Sequence, residues 1–247
     1  MRYKLFAALA AAMLAGCMSS GLYETARCAP PGKFEQTLAL EWEAVVRHSS
    51  GIVFNPWPGP LYPVPMYAVR LGLFRNCDLG LRLGLCAAGL SAKYTLWDGE
   101  PAIAFVADAS GSFFFAMGAG ATTGAALAGR LLVSSEPKPV GYAVSLGVGY
   151  HSKDIGVELG SSLERSWDIL ASGGLPIALG ERVRVMPVLS VGVPAWTRFT
   201  ESGWEGDSSY VYDNPDIRRL SVSLGVSLSL LAPASEEEGY APWRPSR

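Results

Sequence analysis

The sequence predicts an all-β fold: an antiparallel up-and-down barrel of about ten strands that spans a membrane with lipid outside. Three observations point there. Period-two alternation runs through most of the chain from Phe34 onward, the signature of strands with two unlike faces. The large apolar residues share one face, while the other face is mostly Gly, Ser and Ala with a few charges. A soluble sandwich would instead show a charged, water-facing side; a small bland face suits the crowded interior of a small barrel. Charged residues make up only 17% of the chain against 49% hydrophobic, below the usual quarter for a soluble domain. No stretch after residue 17 is apolar and long enough for a transmembrane helix.

Residues 1–16 come first. Arg2 and Lys4 give a basic start, Leu5 to Leu14 is an apolar run too short to span as a resident helix, and Leu14-Ala15-Gly16 precedes Cys17. This segment resembles a bacterial lipoprotein signal peptide. The resemblance implies cleavage before Cys17, acylation of its thiol and new amino group, and a lipidated linker over 17–33. Loss of Arg2 and Lys4 leaves 18 basic against 22 acidic residues. No basic patch argues for nucleic acid.

The alternation then maps strands at roughly 34–47, 64–75, 78–87, 90–97, 101–110, 121–134, 140–150, 168–179, 182–196 and 217–231. In the first, Leu38, Leu40 and Trp42 oppose Ala39, Glu41 and Glu43. In the third, Leu79, Leu81 and Leu83 oppose Gly80 and Arg82. In the last, Leu220, Val222, Leu224, Val226, Leu228 and Leu230 oppose Ser221, Ser223, Gly225, Ser227 and Ser229. Residues 112–120 and 154–163 either extend strands or form another hairpin. Short connections lie at 75–78, 98–101, 136–139 and 180–181, and longer ones at 48–63 and 197–216. Short turns on one rim and long loops on the other are the outer-membrane pattern, with the short turns periplasmic. An even count returns the C-terminus to the side of the N-terminal lipid; eight and twelve strands are the alternatives to ten. The barrel domain is thus 34–231. The tail 232–247, with Pro233, Glu236, Glu237, Glu238, Pro242 and Pro245, reads as disordered.

The segments Arg70-Leu-Gly-Leu-Phe-Arg-Asn-Cys-Asp-Leu-Gly-Leu-Arg-Leu-Gly-Leu85 and Leu179-Gly-Glu-Arg-Val-Arg-Val185 resemble hairpins of the small outer-membrane β-barrel proteins of Gram-negative bacteria. The resemblance, over residues 34–231, implies an outer-membrane location in contact with lipid. It departs at the end: such barrels often finish on an aromatic residue, whereas here a tail follows Leu231.

Candidate site residues follow from the faces. Glu41, Glu43, Arg70, Arg82, Lys93, Asp108, Arg182 and Arg184 fall on the lumen side. They form either a paired network that fills the interior or the lining of a selective passage. Of the cysteines, Cys28 in the linker and Cys77 in a short turn form the candidate disulfide, with Cys86 left at the far end of its strand. Trp57 and Tyr62 in the first long loop, and Trp204, Tyr210 and Tyr212 in the second, are recognition candidates or aromatics folded over the mouth. His48 and His151 sit near strand ends; no motif for catalysis, metal or cofactor binding surrounds them. The function predicted is structural, or interaction with an unidentified protein or small-molecule ligand through the exposed loops. A narrow pore and a soluble periplasmic β-sandwich lipoprotein are the alternatives.

Overall fold

The computed structural model describes residues 23–48, 52–55, 64–84, 87–116, 120–157, 160–205, 208–214 and 218–231. Its strands are β1 (Phe34–His48), β2 (Ile52–Asn55), β3 (Val64–Phe74), β4 (Cys77–Gly84), β5 (Ala87–Trp97), β6 (Ala102–Ala116), β7 (Gly120–Ser134), β8 (Ala143–Val157), β9 (Gly160–Gly174), β10 (Ile177–Ala178), β11 (Val183–Glu205), β12 (Ser208–Asn214) and β13 (Arg218–Leu230). Ten of them close a ring: β1, β3, β4, β5, β6, β7, β8, β9, β11 and β13, each antiparallel to its neighbours, with β1 meeting β13 and β9 meeting β11. Closure leaves no open sheet edge in the ring, the condition for a sheet to cross lipid. It also rules out the sandwich alternative.

The alternation dictates which residues line the lumen. On β13, Leu224 is 57% exposed while Ser223, Ser227 and Ser229 are 1% exposed. Leu38, Leu79, Leu90, Leu127 and Leu146 project outward in the same way. Large apolar side chains form the outer surface, and the packed interior holds Ala104, Val106, Leu132, Met186 and Val188 together with serines and charges. This is the inverse of a soluble protein and fits a lipid solvent. Trp167 and Trp196 stand opposite each other on β9 and β11, and Trp97 ends β5; all three are outward and about half exposed.

The short turns share a rim with both ends of the ring. Gln36 pairs with Leu230, Leu231 N–H donates to the Arg182 carbonyl (2.7 Å), and Thr95 N–H donates to the Asn76 carbonyl (2.8 Å). Lys138 donates to Glu136 (2.8 Å) in an exposed turn of this rim; that hydrogen bond holds the Glu136 carboxyl below its usual range and Lys138 above its own.

The opposite rim differs from expectation. The strand expected at 168–179 is β9 at Gly160–Gly174, because 154–163 extends β8 and β9 into one hairpin. The expected loop at 197–216 is mostly the β11–β12 ladder, and β2 pairs back on β1 within 48–63. Above the lipid both faces of a strand meet water, so alternation fades while the backbone still pairs. The expected tail, 232–247, lies outside the described residues.

An arginine on the lipid face near mid-membrane costs about 2–4 kcal/mol. Leu224→Arg should lower the unfolding free energy in detergent or lipid by that amount, measured as a lower denaturant midpoint. An unchanged midpoint would contradict the outward placement of Leu224.

Candidate functional site in the barrel lumen

The lumen is not empty: residues 23–30 fill its short-turn end. The segment enters at the short-turn rim, where Pro31 bridges Gly72 in parallel register and Gly32 N–H donates to the Gly72 carbonyl (2.8 Å). Gly72 is required there. A Cβ on it would lie 2.2 Å from the Pro30 carbonyl oxygen, a distance no side chain tolerates. Along the inner side of that rim, Ala29 N–H donates to Asp78 Oδ2 (3.1 Å) and Ala26 N–H to Ser134 Oγ (2.8 Å). The Ala26 carbonyl accepts from Thr95 Oγ1 (2.9 Å), and the Thr25 carbonyl accepts from Lys93 Nζ (3.1 Å). Arg184 Nη1 donates to Thr25 Oγ1 (3.3 Å). Wall side chains thus satisfy the backbone of a segment that has no strand partners beyond the rim. Tyr23, the first described residue, lays its ring on Gly225, where a Cβ would meet its hydroxyl at 1.9 Å.

Glu24 is the centre of this arrangement. Its carboxylate takes Arg70 Nη2 (2.5 Å), Arg82 Nη2 (3.3 Å) and Lys93 Nζ (3.3 Å). Arg70 also binds Asp78 Oδ1 and Ser91 Oγ, Lys93 binds Asp78 Oδ2 (3.2 Å), and Arg82 binds Asp108 Oδ1 (2.6 Å). In this cluster the wall supplies three cations but only two anions, Asp78 and Asp108. Glu24, from the inserted segment, is the third. Lys93 and Asp78 are 1% and 0% exposed, so an unmatched charge here would be buried. At the rim Arg27 adds exposed contacts to Glu100 (3.3 Å) and Asp98 (3.9 Å).

The expected lumen charges Arg70, Arg82, Lys93 and Asp108 meet in this cluster. Glu41 is buried, and Arg184 lies 3.9 Å from Glu35. Arg182 is a correction: it is exposed in the 179–182 turn, because the chain leaves the sheet one residue before the lumen row begins at Arg184. The side chain of Glu43 lies outside the described residues. Sequence reasoning missed Glu24, Asp78, Glu35 and Arg130, all buried or half-buried on the inner side. Its signal was the imbalance itself: the expected lumen set held five bases and three acids, and the missing acids had to lie nearby.

The expected Cys28–Cys77 disulfide is also corrected. Both thiols are free. Cys28 lies inside, its Sγ accepting from Thr95 Oγ1 (3.2 Å). Cys77 pairs in register with Tyr94, whose side chain is outward, whereas the next pair, Asp78 with Lys93, is inward. The two cysteines share a rim but face opposite sides of the wall. Cys17, Trp57 and Tyr62 lie outside the described residues. Trp204, Tyr210 and Tyr212 belong to the β11–β12 ladder, and their side chains are likewise not described.

A second polar cluster lies toward the long-hairpin rim. His151 Nδ1 is 3.0 Å from Asp168 Oδ2 and its Nε2 3.8 Å from Glu164 Oε1. Ser166 Oγ donates to Asp168 Oδ1 (2.5 Å) and lies 3.2 Å from Thr197 Oγ1. The serine is committed to the carboxylate rather than to the imidazole, so the set lacks the nucleophile–base contact that acyl transfer needs. Among the described residues no His, Cys, Asp and Glu group is spaced to hold a metal ion.

Comparison with known proteins gives a likeness of fold. No protein-family model and no curated protein matches the chain. Among solved structures, the outer membrane protease OmpT of Escherichia coli aligns at a TM-score of 0.54 and 8% identity, over 86% of this chain and all of that one. OprG of Pseudomonas aeruginosa (TM-score 0.38, 14% identity, 85% and 100% covered) and Neisserial surface protein A (0.37, 11%, 79% and 95%) are also similar.

Removing one partner of a buried ion pair costs about 3–5 kcal/mol. Glu24→Ala should therefore destabilise the protein by that order, read as a lower thermal midpoint of the heat-modifiable gel shift. Residues 23–33 should also become open to protease. A variant with unaltered midpoint and protection would show that Glu24 does not hold the segment.

Proposed function

We propose that the chain is a lipid-anchored outer-membrane barrel, closed by its own N-terminal segment, that presents the β1–β2 and β11–β12 hairpins to a partner outside the cell. The filled lumen carries this reading. Residues 23–30 occupy the bore, and Glu24 makes their departure costly in charge. A small ten-strand barrel has little free width once wall side chains are counted; with a chain inside as well, solute passage has no path. The anchor rests on the Leu14-Ala15-Gly16-Cys17 segment, and the outer-membrane location on the lipid-suited exterior. The outward hairpins, with Trp204, Tyr210 and Tyr212 in the taller one, are the surface left for recognition, since aromatic residues anchor interfaces.

The pore is the second reading, favoured by the cationic wall that would face the bore if the segment left. Planar-bilayer recording separates the two. The full chain should give no steady unitary conductance, and a variant lacking residues 23–30 should either conduct or fail to fold for want of its anion. Steady channels from the intact, correctly folded chain would overturn the closed-barrel reading.

A further inference from the structure

We propose that the outer wall carries a site for a phosphate-bearing lipid of the leaflet at the long-hairpin rim, with the headgroup on Arg165 and Arg198 and an acyl chain in the groove below them. This leaflet is the outer one in the orientation proposed above. The site depends neither on the filled lumen nor on a lipid at Cys17.

Arg165 of β9 and Arg198 of β11 are direct cross-strand partners. Both side chains are exposed on the outer face. Residues so paired have Cβ atoms about 4.5–5.5 Å apart, where like charges repel. Their height decides what they can meet. Arg165 is nine residues from Gly174, at the short-turn end of β9. At about 3.3 Å per residue and a tilt of about 40°, the arginines stand about 23 Å up an apolar band about 25 Å tall. The next outward pair toward the short turns is Trp167 with Trp196, and tryptophan settles at headgroup level. From the arginines onward the outward positions turn polar, with Ser152, Asp154, Thr123 and Thr200. Asp154 is an acid on this face, one outward pair further from the tryptophans; among the described residues Arg165 forms no ion pair with it. Two guanidinium groups at this height face lipid phosphates. Their planar forks match phosphate oxygens two at a time, and a phosphate between them relieves their repulsion.

Below the tryptophans the outer surface is indented. Ala92, Ala107 and Gly129 pair side by side across β5, β6 and β7. Leu90, Leu127 and Trp167 stand over them from the next outward row. The groove so formed holds about 480 Å³, within the ~300–1,000 Å³ of small-molecule sites. Its lining is mostly apolar, and it opens on lipid. Trp167 belongs to both features: it borders the groove and lies two residues, about 7 Å, below Arg165. A headgroup held by the arginines therefore delivers its chain past the Trp167 ring into the groove. Free phosphate would use only the upper half of the site, whereas a lipid uses both.

The test uses the full-length chain folded in dodecyl maltoside, a phosphate-free detergent. It is titrated with dimyristoyl phosphatidic acid, and bound lipid is counted by native mass spectrometry. Heat-modifiable mobility checks folding. Two further probes are dimyristoylglycerol, which lacks the phosphate, and inorganic phosphate, which lacks the chains. The wild type should bind one phosphatidic acid at least about tenfold more tightly than either. Arg165→Gln with Arg198→Gln should abolish the preference for the phosphate. Ala107→Leu, which fills the groove from the lipid side, should weaken phosphatidic acid binding by about tenfold. Equal binding of phosphatidic acid and dimyristoylglycerol, or unaltered binding by the folded double-glutamine variant, would overturn the headgroup site. Inorganic phosphate bound as tightly as phosphatidic acid, or no effect of Ala107→Leu, would overturn the lipid reading. If the double variant fails to fold, Arg165→Gln alone is read by the same criteria.

Discussion

One carboxylate completes the main charge cluster inside this barrel. Arg70, Arg82 and Lys93 project from three consecutive strands into a space from which water is largely excluded, and among the described residues the wall carboxylates that form ion pairs with them are Asp78 and Asp108. Two unit charges 4 Å apart interact about fourfold more strongly at an effective dielectric near 20 than in bulk water, so an unmatched cation here would strain the whole cluster. Glu24 supplies the match, yet it lies outside the barrel sequence proper. The bore and the segment that fills it therefore form one unit, and without Glu24 this cluster keeps three cations against two carboxylates.

Everything else about the lumen accommodates that segment. Small residues line the inner row of β13, leaving width for a chain. Gly72 and Gly225 mark the two closest approaches, one against the backbone of Ala29 and Pro30 and one against the Tyr23 ring. Ser134, Thr95, Asp78 and Lys93 act as surrogate strand partners for a backbone that would otherwise be buried without hydrogen bonds. A barrel built to conduct would have little use for this fit.

The wall itself was legible in the sequence because lipid imposes a strict rule. Leu224 and Ser223 cannot exchange faces, so strands such as 217–231 and 121–134 announce themselves by alternation. Where lipid ends the rule ends: the sequence leaves 154–163 open between longer strands and another hairpin, and 197–216, mostly the β11–β12 ladder, reads as a loop. The inserted segment was illegible for another reason: Thr25, Ala26 and Arg27 have no periodicity, and their partners are fixed only once the ring closes. Asp78 was read as a turn residue and Arg182 as a lumen residue by the same one-residue uncertainty at a strand end. Cys77 shows how much that matters, since one position decides whether a thiol faces lipid or Cys28.

Closure of the barrel depends on whether residues 23–30 reside in the lumen of the native protein. Amide hydrogen exchange at Ala26 and Ala29, measured by NMR on the folded full-length chain, tests this directly, because both N–H groups donate to buried wall oxygens, Ser134 Oγ and Asp78 Oδ2. Protection comparable to that of the strand amides is the result this account predicts. Exchange at the rate of an unstructured peptide, in a barrel whose strands remain protected, would contradict it.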